Sequence, residues 1–157
     1  MIRLVPMTET EYQAYLESDI LRYAEEHVKA GNWHPSEALE RSRREHQQLL
    51  ADGLATPNQY IFSLQDEETG LKVGAIWFAV DDKRLRPSAF VYDFVIYDEF
   101  RRKGYGTQAL RALENKLKEL GVNKISLHVF GHNHAARALY DKVGYAVTCI
   151  LMSKELS

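Results

Sequence analysis

Residues 91–120, VYDFVIYDEFRRKGYGTQALRALENKLKEL, constrain the chain more than any other stretch. They hold, in order, an apolar run, a basic turn with two glycines, and an amphipathic helix. The run over 91–96 is β-branched and aromatic, as a buried strand should be. Leu110, Leu113, Leu117 and Leu120 recur at spacings of three and four, which marks one helix face. Gly121 stands where such a helix is closed at its C-terminus. A strand feeding a helix through this turn leaves the first helical amides unpaired, with a partial positive charge. The glycines admit an anion close to the backbone, and the basic residues add formal charge. Arg101, Arg102, Lys103, Gly104, Tyr105, Gly106 and Thr107 therefore form a candidate pyrophosphate site.

The spacing narrows the choice of pyrophosphate. A P-loop needs four residues between its glycines and then Lys-Ser/Thr, and that pattern is absent. Gly104-Tyr105-Gly106-Thr107-Gln108-Ala109 fits the G-x-G-x-x-A form of the dinucleotide fingerprint. A nicotinamide site also wants an acidic residue ~20 positions further on. No Asp or Glu lies between Gly121 and Tyr140, which argues against an oxidoreductase.

Two motifs carry a resemblance. Arg101-x-x-Gly104-x-Gly106 resembles the Q/R-x-x-G-x-G/A turn that binds the pyrophosphate of acetyl-coenzyme A in the GNAT family of N-acetyltransferases. Asn133-x-x-Ala136-x-x-Leu139-Tyr140-x-x-x-Gly144-Tyr145 is similar to that family's N-x-x-A-x-x-L-Y-x-x-x-G-F segment, in matching order and separation. The resemblance covers most of the chain. It implies the acyl-CoA N-acyltransferase fold and acetyl transfer to a primary amine by direct attack in a ternary complex. It implies acetyl-coenzyme A as co-substrate and no metal. Phe94, Val95 and Ile96 would run beside the pantetheine arm through backbone groups, and Asn133 would contact that arm. Tyr140 matches the general acid. A phenol titrates near 10, close to a departing thiolate, and can protonate the sulfur.

The general base is open among three residues. His128 lies on an alternating strand, pointing away from Ile125, Leu127 and Val129, and an imidazole titrates in the useful range. Asp93 and Tyr92 are the alternatives, the carboxylate acting through ordered water. His128, His132 and His134 invite a zinc reading, but the cofactor match already accounts for that segment. Tyr15, Tyr23, Trp33, Tyr60 and Trp77 are candidates for an acceptor pocket, with Trp33 as its cover. The rival within the same fold is a non-catalytic acyl-coenzyme A binding or sensing module. The acceptor is a small-molecule or protein amine, and a homodimer is left open.

Composition excludes other classes. The chain has 157 residues, which predicts a single domain over 1–157. It is 45% hydrophobic and carries a net charge of −2, so neither a nucleic-acid partner nor a membrane partner is expected. No apolar run approaches the ~20 residues of a membrane span, and no signal-peptide pattern is visible, so a cytoplasmic protein is expected. The lone Cys149 forms no intrachain disulfide and is expected to be buried.

The predicted fold is α/β, a mixed and mostly antiparallel sheet with one central parallel βαβ unit and helices on both faces. Residues 2–5 read as a first strand, and Thr8-x-x-Glu11 as a capping box. A helix follows to about residue 30, broken near Ser18-Asp19. A second helix spans 37–52, capped by Ser36, its Arg41, Arg43 and Arg44 forming a solvated face with nearby glutamates. Strands over 60–64 and 72–80 form a hairpin. The strand over 89–96 feeds the central motif, and 124–129 returns to the sheet. A short helix over 134–143 precedes a closing strand over 146–154.

Overall fold

The computed structural model describes residues 1–83 and 85–157. Five strands form one sheet in the order β1-β2-β3-β4-β5. They are β1 (Ile2–Pro6), β2 (Gln59–Asp66), β3 (Lys72–Asp81), β4 (Ser88–Ile96) and β5 (Lys124–Leu127). The first four pair antiparallel, and β5 lies parallel to β4. Among the described residues there are four α-helices, α1 (Glu9–Lys29), α2 (Pro35–Leu49), α3 (Tyr105–Glu119) and α4 (His134–Lys142), and two short 3-10 turns, Gly53–Ala55 and Asp98–Phe100. The unit β4–α3–β5 is the expected parallel crossover, and the mixed α/β architecture is as predicted.

The sheet divides the interior into two layers. Leu64, Ile76, Phe78, Ala89 and Val91 pack against Leu110, Leu113 and Leu117 of α3. On the other face Ile61, Ala75 and Trp77 meet Met7, Tyr12, Tyr15 and Leu50 from the α1 and α2 side. Gly74 is where β3 and β4 press closest. A Cβ there would lie 2.1 Å from the Val95 carbonyl oxygen, so no other residue fits.

Local chemistry sets the helix ends. Thr8 and Glu11 exchange side chain–backbone hydrogen bonds at the start of α1, so the capping box forms. Helix α1 is continuous through Ser18-Asp19. Asp19 is buried and held by Arg22 and His46, so it completes the apolar face instead of breaking it. Helix α2 starts two residues early because His34, not Ser36, is its cap, accepting from the Ser36 amide at 3.1 Å. Arg41 and Arg44 pair with Glu37 and Glu40 on their own helix, whereas Arg43 reaches Glu17 of α1 at 2.9 Å.

Two expectations fail at the far edge of the sheet. Residues 146–154 form no strand, and β5 ends at Leu127, not Val129. Cys149 is correspondingly exposed. The apolar run that suggested a closing strand is present, but it does not pair with the sheet of its own chain. Among the described residues no helix is long and apolar enough to cross a membrane.

Candidate active site

The site is built where β4 and β5 part. Their ladder runs from Ser88↔Lys124 to Val91↔Leu127 and stops, while β4 stays paired with β3 as far as Ile96. The register between β3 and β4 shifts between Trp77 and Phe78, with Trp77 opposite Asp93 and Phe78 opposite Val91. Tyr92 is thus the extra residue of a bulge, where the strand bends away. Beyond it, the Tyr97 amide donates to Val73 of β3 at 2.9 Å. Successive residues of a strand present their backbone groups to opposite edges. Phe94 and Ile96 therefore turn theirs to the open edge, and Val95 turns its own to β3. At that edge the Ile96 carbonyl accepts from Arg101 Nε at 3.1 Å.

The basic turn lies at the C-terminal end of β4. Arg102 (φ 63°) and Gly104 (φ 81°) are both left-handed and swing the chain into α3. Among the described residues Arg102 is one of two non-glycine residues in this conformation, which costs backbone energy and marks a constrained turn. Gly104 caps α3 with no side-chain hydrogen bond to its first amides, so that helix end is free to meet an anion. Arg102 and Lys103 are exposed, and Thr107 sits in the first helical turn. Two residues of the motif also hold the fold together. The Tyr105 hydroxyl donates to Asp66 Oδ2 at 2.6 Å, tying α3 to the end of β2. That hydrogen bond holds the Asp66 carboxyl below its ordinary range. A Cβ on Gly106 would come within 2.9 Å of Leu139 Cδ2, so the second glycine seats α4 against α3.

Helix α4 brings up the remaining motif residues. Asn133 is its N-cap, accepting from the Ala136 amide at 3.1 Å. Tyr140 is half-buried, edge-on to Tyr145 with ring centroids 5.5 Å apart. Burial pushes its phenol well above the ordinary value, and the charge of Asp93 adds to this. Tyr140 and Asp93 are thus in electrostatic reach of one another although they belong to opposite sides of the sheet.

Asp93 is the centre of a buried polar network that the sequence did not reveal. The Tyr15 hydroxyl donates to its Oδ2 at 2.6 Å, and Arg22 Nη2 donates to the same oxygen at 2.9 Å. Arg22 also binds Asp19 at 2.7 Å, and Asp19 Oδ2 meets His46 Nε2 at 2.8 Å. Burial and the charge of Asp19 push Asp93 up to about 7, against the pull of Arg22 and Tyr15. Burial opposes a charge on His46, yet the hydrogen bonds to Asp19 and the Ser42 carbonyl outweigh it and raise its pKa. The legible signal was the spacing of Tyr15 and Asp19 by four on α1, and of Ala38, Ser42 and His46 by four on α2. Polar side chains on a core stripe announce partners.

The other candidates scatter. His128 is exposed just past β5, edge-on to Phe130 at 5.4 Å. Tyr92 stacks on Trp77 at 4.8 Å. His132 pairs with Glu26 of α1, and among the described residues no group of three or more His, Cys, Asp or Glu is placed to hold a metal. Trp33 is buried, stacked on His27 at 3.9 Å with Arg41 over its ring. It is a wedge between α1 and α2, not a loose cover. Tyr60 packs on Phe78 in the α3 layer, apart from Tyr15 and Trp77.

The comparisons agree with this geometry. The uncharacterized N-acetyltransferase YycN of Bacillus subtilis (strain 168) is 42% identical over 155 residues, covering 99% of both chains. YdgE of the same organism, also an uncharacterized N-acetyltransferase, is 35% identical over 98% of this chain and 97% of its own. The crystal structure of the putative acetyltransferase YycN superposes with a TM-score of 0.96 at 41% identity, covering 100% of this chain and 99% of that one. A putative acetyl transferase from Pyrococcus furiosus shares the fold, with a TM-score of 0.67 at 23% identity over 99% of this chain and 100% of its own. The model of the acetyltransferase (GNAT) family matches residues 20–145, which include the parted strands, the basic turn and Tyr140; the chain belongs to that family.

Proposed function

We propose that the protein is an N-acetyltransferase that moves an acetyl group from acetyl-coenzyme A to a primary amine by direct attack within a ternary complex. The observation that carries this reading is the parting of β4 from β5 before the basic turn and the uncapped N-terminus of α3, with Tyr140 in electrostatic reach of Asp93 on β4. The residues present suit the co-substrate. The first amides of α3 with Arg102 and Lys103 would hold its diphosphate, and the open-edge groups of Phe94 and Ile96 would hold its amide-bearing arm. Asn133 orders the loop that leads into α4. Acetyl-coenzyme A supplies the activated acyl group.

The chain's own groups manage orientation and protons. Fixing amine and thioester together at one gap removes the entropic cost of their meeting. Asp93 has a proton affinity near neutrality and lies on the α1 side of β4. It accepts the proton of the incoming ammonium, directly or through one water. Tyr140 stays protonated and donates to the departing sulfur from the opposite side. His128 is a second candidate base, favoured by its exposure where the strands have parted.

The test is thiol release from acetyl-coenzyme A across a panel of small amines and peptides with free amino groups. Amine-dependent release with a matching acetylated product supports the proposal. Tight coenzyme A binding with no release in any mixture overturns it in favour of a non-catalytic acyl-coenzyme A sensor. Absence of binding overturns both.

A further inference from the structure

On the α1 face of the sheet the row Ser63, Ala75 and Val95 crosses β2, β3 and β4. Two of these side chains are small, and α1 turns Ala14 and Ser18, one turn apart, toward the same space. Small side chains on both walls leave a cleft of about 260 Å³ between helix and sheet. Pockets for drug-sized ligands begin at ~300 Å³, so the cleft takes a small molecule or the head of a larger one. Its hydroxyls have no task in the fold. Ser63 is only 4% exposed, yet neither its hydroxyl nor that of Tyr97 has a hydrogen-bond partner among the described residues. A buried polar group without a partner marks a place where a ligand or water completes the bonding.

Arg22 gives the cleft its sign. Both carboxylates that hold this side chain take the same nitrogen, Nη2, which donates to Asp19 at 2.7 Å and to Asp93 at 2.9 Å. Nε and Nη1 have no protein partner among the described residues, although the side chain is only 30% exposed and lines the cleft. A guanidinium presents its donors as a planar fork that matches a carboxylate. The carboxylates nearby are already taken. Glu11 is paired with Lys72 at one end of the cleft, and Asp19 is held by Arg22 and His46. The polar groups left without partners, on Arg22, Ser63 and Tyr97, are therefore donors to an anion.

We propose that this cleft binds the carboxylate of the acetyl acceptor, and that the acceptor is a free α-amino acid. The assignment rests on acetyl transfer with Asp93 as the base. Arg22 and Tyr15 both line the cleft and both bond to Asp93, so a carboxylate on the open side of Arg22 lies beside the base. In an α-amino acid the nitrogen is one carbon from the carboxylate, which matches a base one hydrogen bond from the guanidinium. The amine nitrogen then bonds to the acetyl carbon as the carbon–sulfur bond breaks. Of the two protons the ammonium loses, one leaves through Asp93 to solvent and the other ends on the coenzyme A sulfur through Tyr140. A polyamine would bring cations to a cleft whose open groups are donors, and a protein amine has no carboxylate one carbon away.

The experiment varies the acceptor before it varies the protein. Thiol release from acetyl-coenzyme A is measured with the standard α-amino acids, their carboxamides, and the matching amines without the carboxyl group. The expected result is release with at least one amino acid, at a kcat/KM ~10²-fold above that of its carboxamide. A carboxamide or plain amine turned over as well as the amino acid would overturn the proposal. Arg22→Gln should slow every acceptor, since Arg22 also holds Asp93, but it should in addition collapse the preference for amino acid over carboxamide. That ratio is not moved by a general loss of structure. Where Arg22→Gln fails to fold, Ser63→Ala decides, with an expected ~5-fold fall in the same ratio. An unchanged ratio in a folded variant would overturn the assignment of this cleft. If no amine releases thiol, acetyl transfer itself fails, and calorimetric titration of the same amino acids and carboxamides with coenzyme A present reads the cleft alone. Binding of an amino acid in preference to its carboxamide supports the carboxylate site, and equal or absent binding overturns it.

Discussion

Asp93 is pushed up to about 7 and is divided between its two forms at neutral pH, whereas the buried Tyr140 phenol stays protonated. If Asp93 is the base, Asp93→Asn should lower kcat by ~10²-fold or more and remove the acid limb of the rate profile near pH 7. If that limb survives in Asp93→Asn and vanishes in His128→Ala, the base is His128. Tyr140→Phe should lower kcat by a similar ~10²-fold with little change in KM for acetyl-coenzyme A. A matching rise in KM would mean the ring packs and the hydroxyl does nothing. Asp93 was legible only as a polar residue in an otherwise apolar strand. Its partners Tyr15, Arg22, Asp19 and His46 lie on two helices far away in sequence, so no local spacing could join them. Tyr140 was legible because motif and helix coincide over a few residues.

At the scale of the element, the strand, the basic turn and α3 were legible because they are contiguous and obey one period each. The sequence also marked the start of α1, since Thr8 and Glu11 satisfy each other's backbone within one turn. Thr8→Ala should cost ~1 kcal/mol in chemical denaturation. What the chain did not disclose is where β4 and β5 separate. The run over 124–129 alternates past Leu127 as well as before it, and the break is made by the Tyr92 bulge on the neighbouring strand. Gly74 likewise reads as a weak point in a strand, yet it is where β4 approaches most closely. Gly74→Ala should destabilise by more than ~3 kcal/mol, because the clash is with backbone and cannot be relieved by a rotamer change. A Gly74→Ala protein of normal midpoint would show that β3 and β4 can spread apart without penalty.

For the whole molecule, buried ionisable groups set a stability window. Asp93 has a folded pKa near 7 against about 3.9 unfolded, so its contribution is full below ~4 and is lost as pH rises through ~7. His46 is also raised, so its contribution is full below its unfolded value of ~6.5 and fades as pH rises past its folded value. Asp19 and Glu11 are lowered, so their contributions are present above ~4 and are lost on further acidification. The Tm should therefore peak between about pH 4 and 5 and fall on both sides. Asp93→Asn should gain on the parent as pH rises from 5 to 8. A Tm that climbs steadily to pH 8 would contradict the assigned directions. None of this could be read from a net charge of −2, which counts charges without saying which are buried.

The four residue pairs that join β4 to β5 carry a mechanical consequence. Past Val91 the sheet is a seam left unstitched, and the amides of Phe94 and Ile96 have no mate across it. A guest lying in the seam takes over the missing stitches, so it becomes a member of the framework while it stays. Deuterium uptake at those two amides should then slow when coenzyme A is added and recover when it leaves, making the stiffness of this half of the protein a gauge of its occupancy.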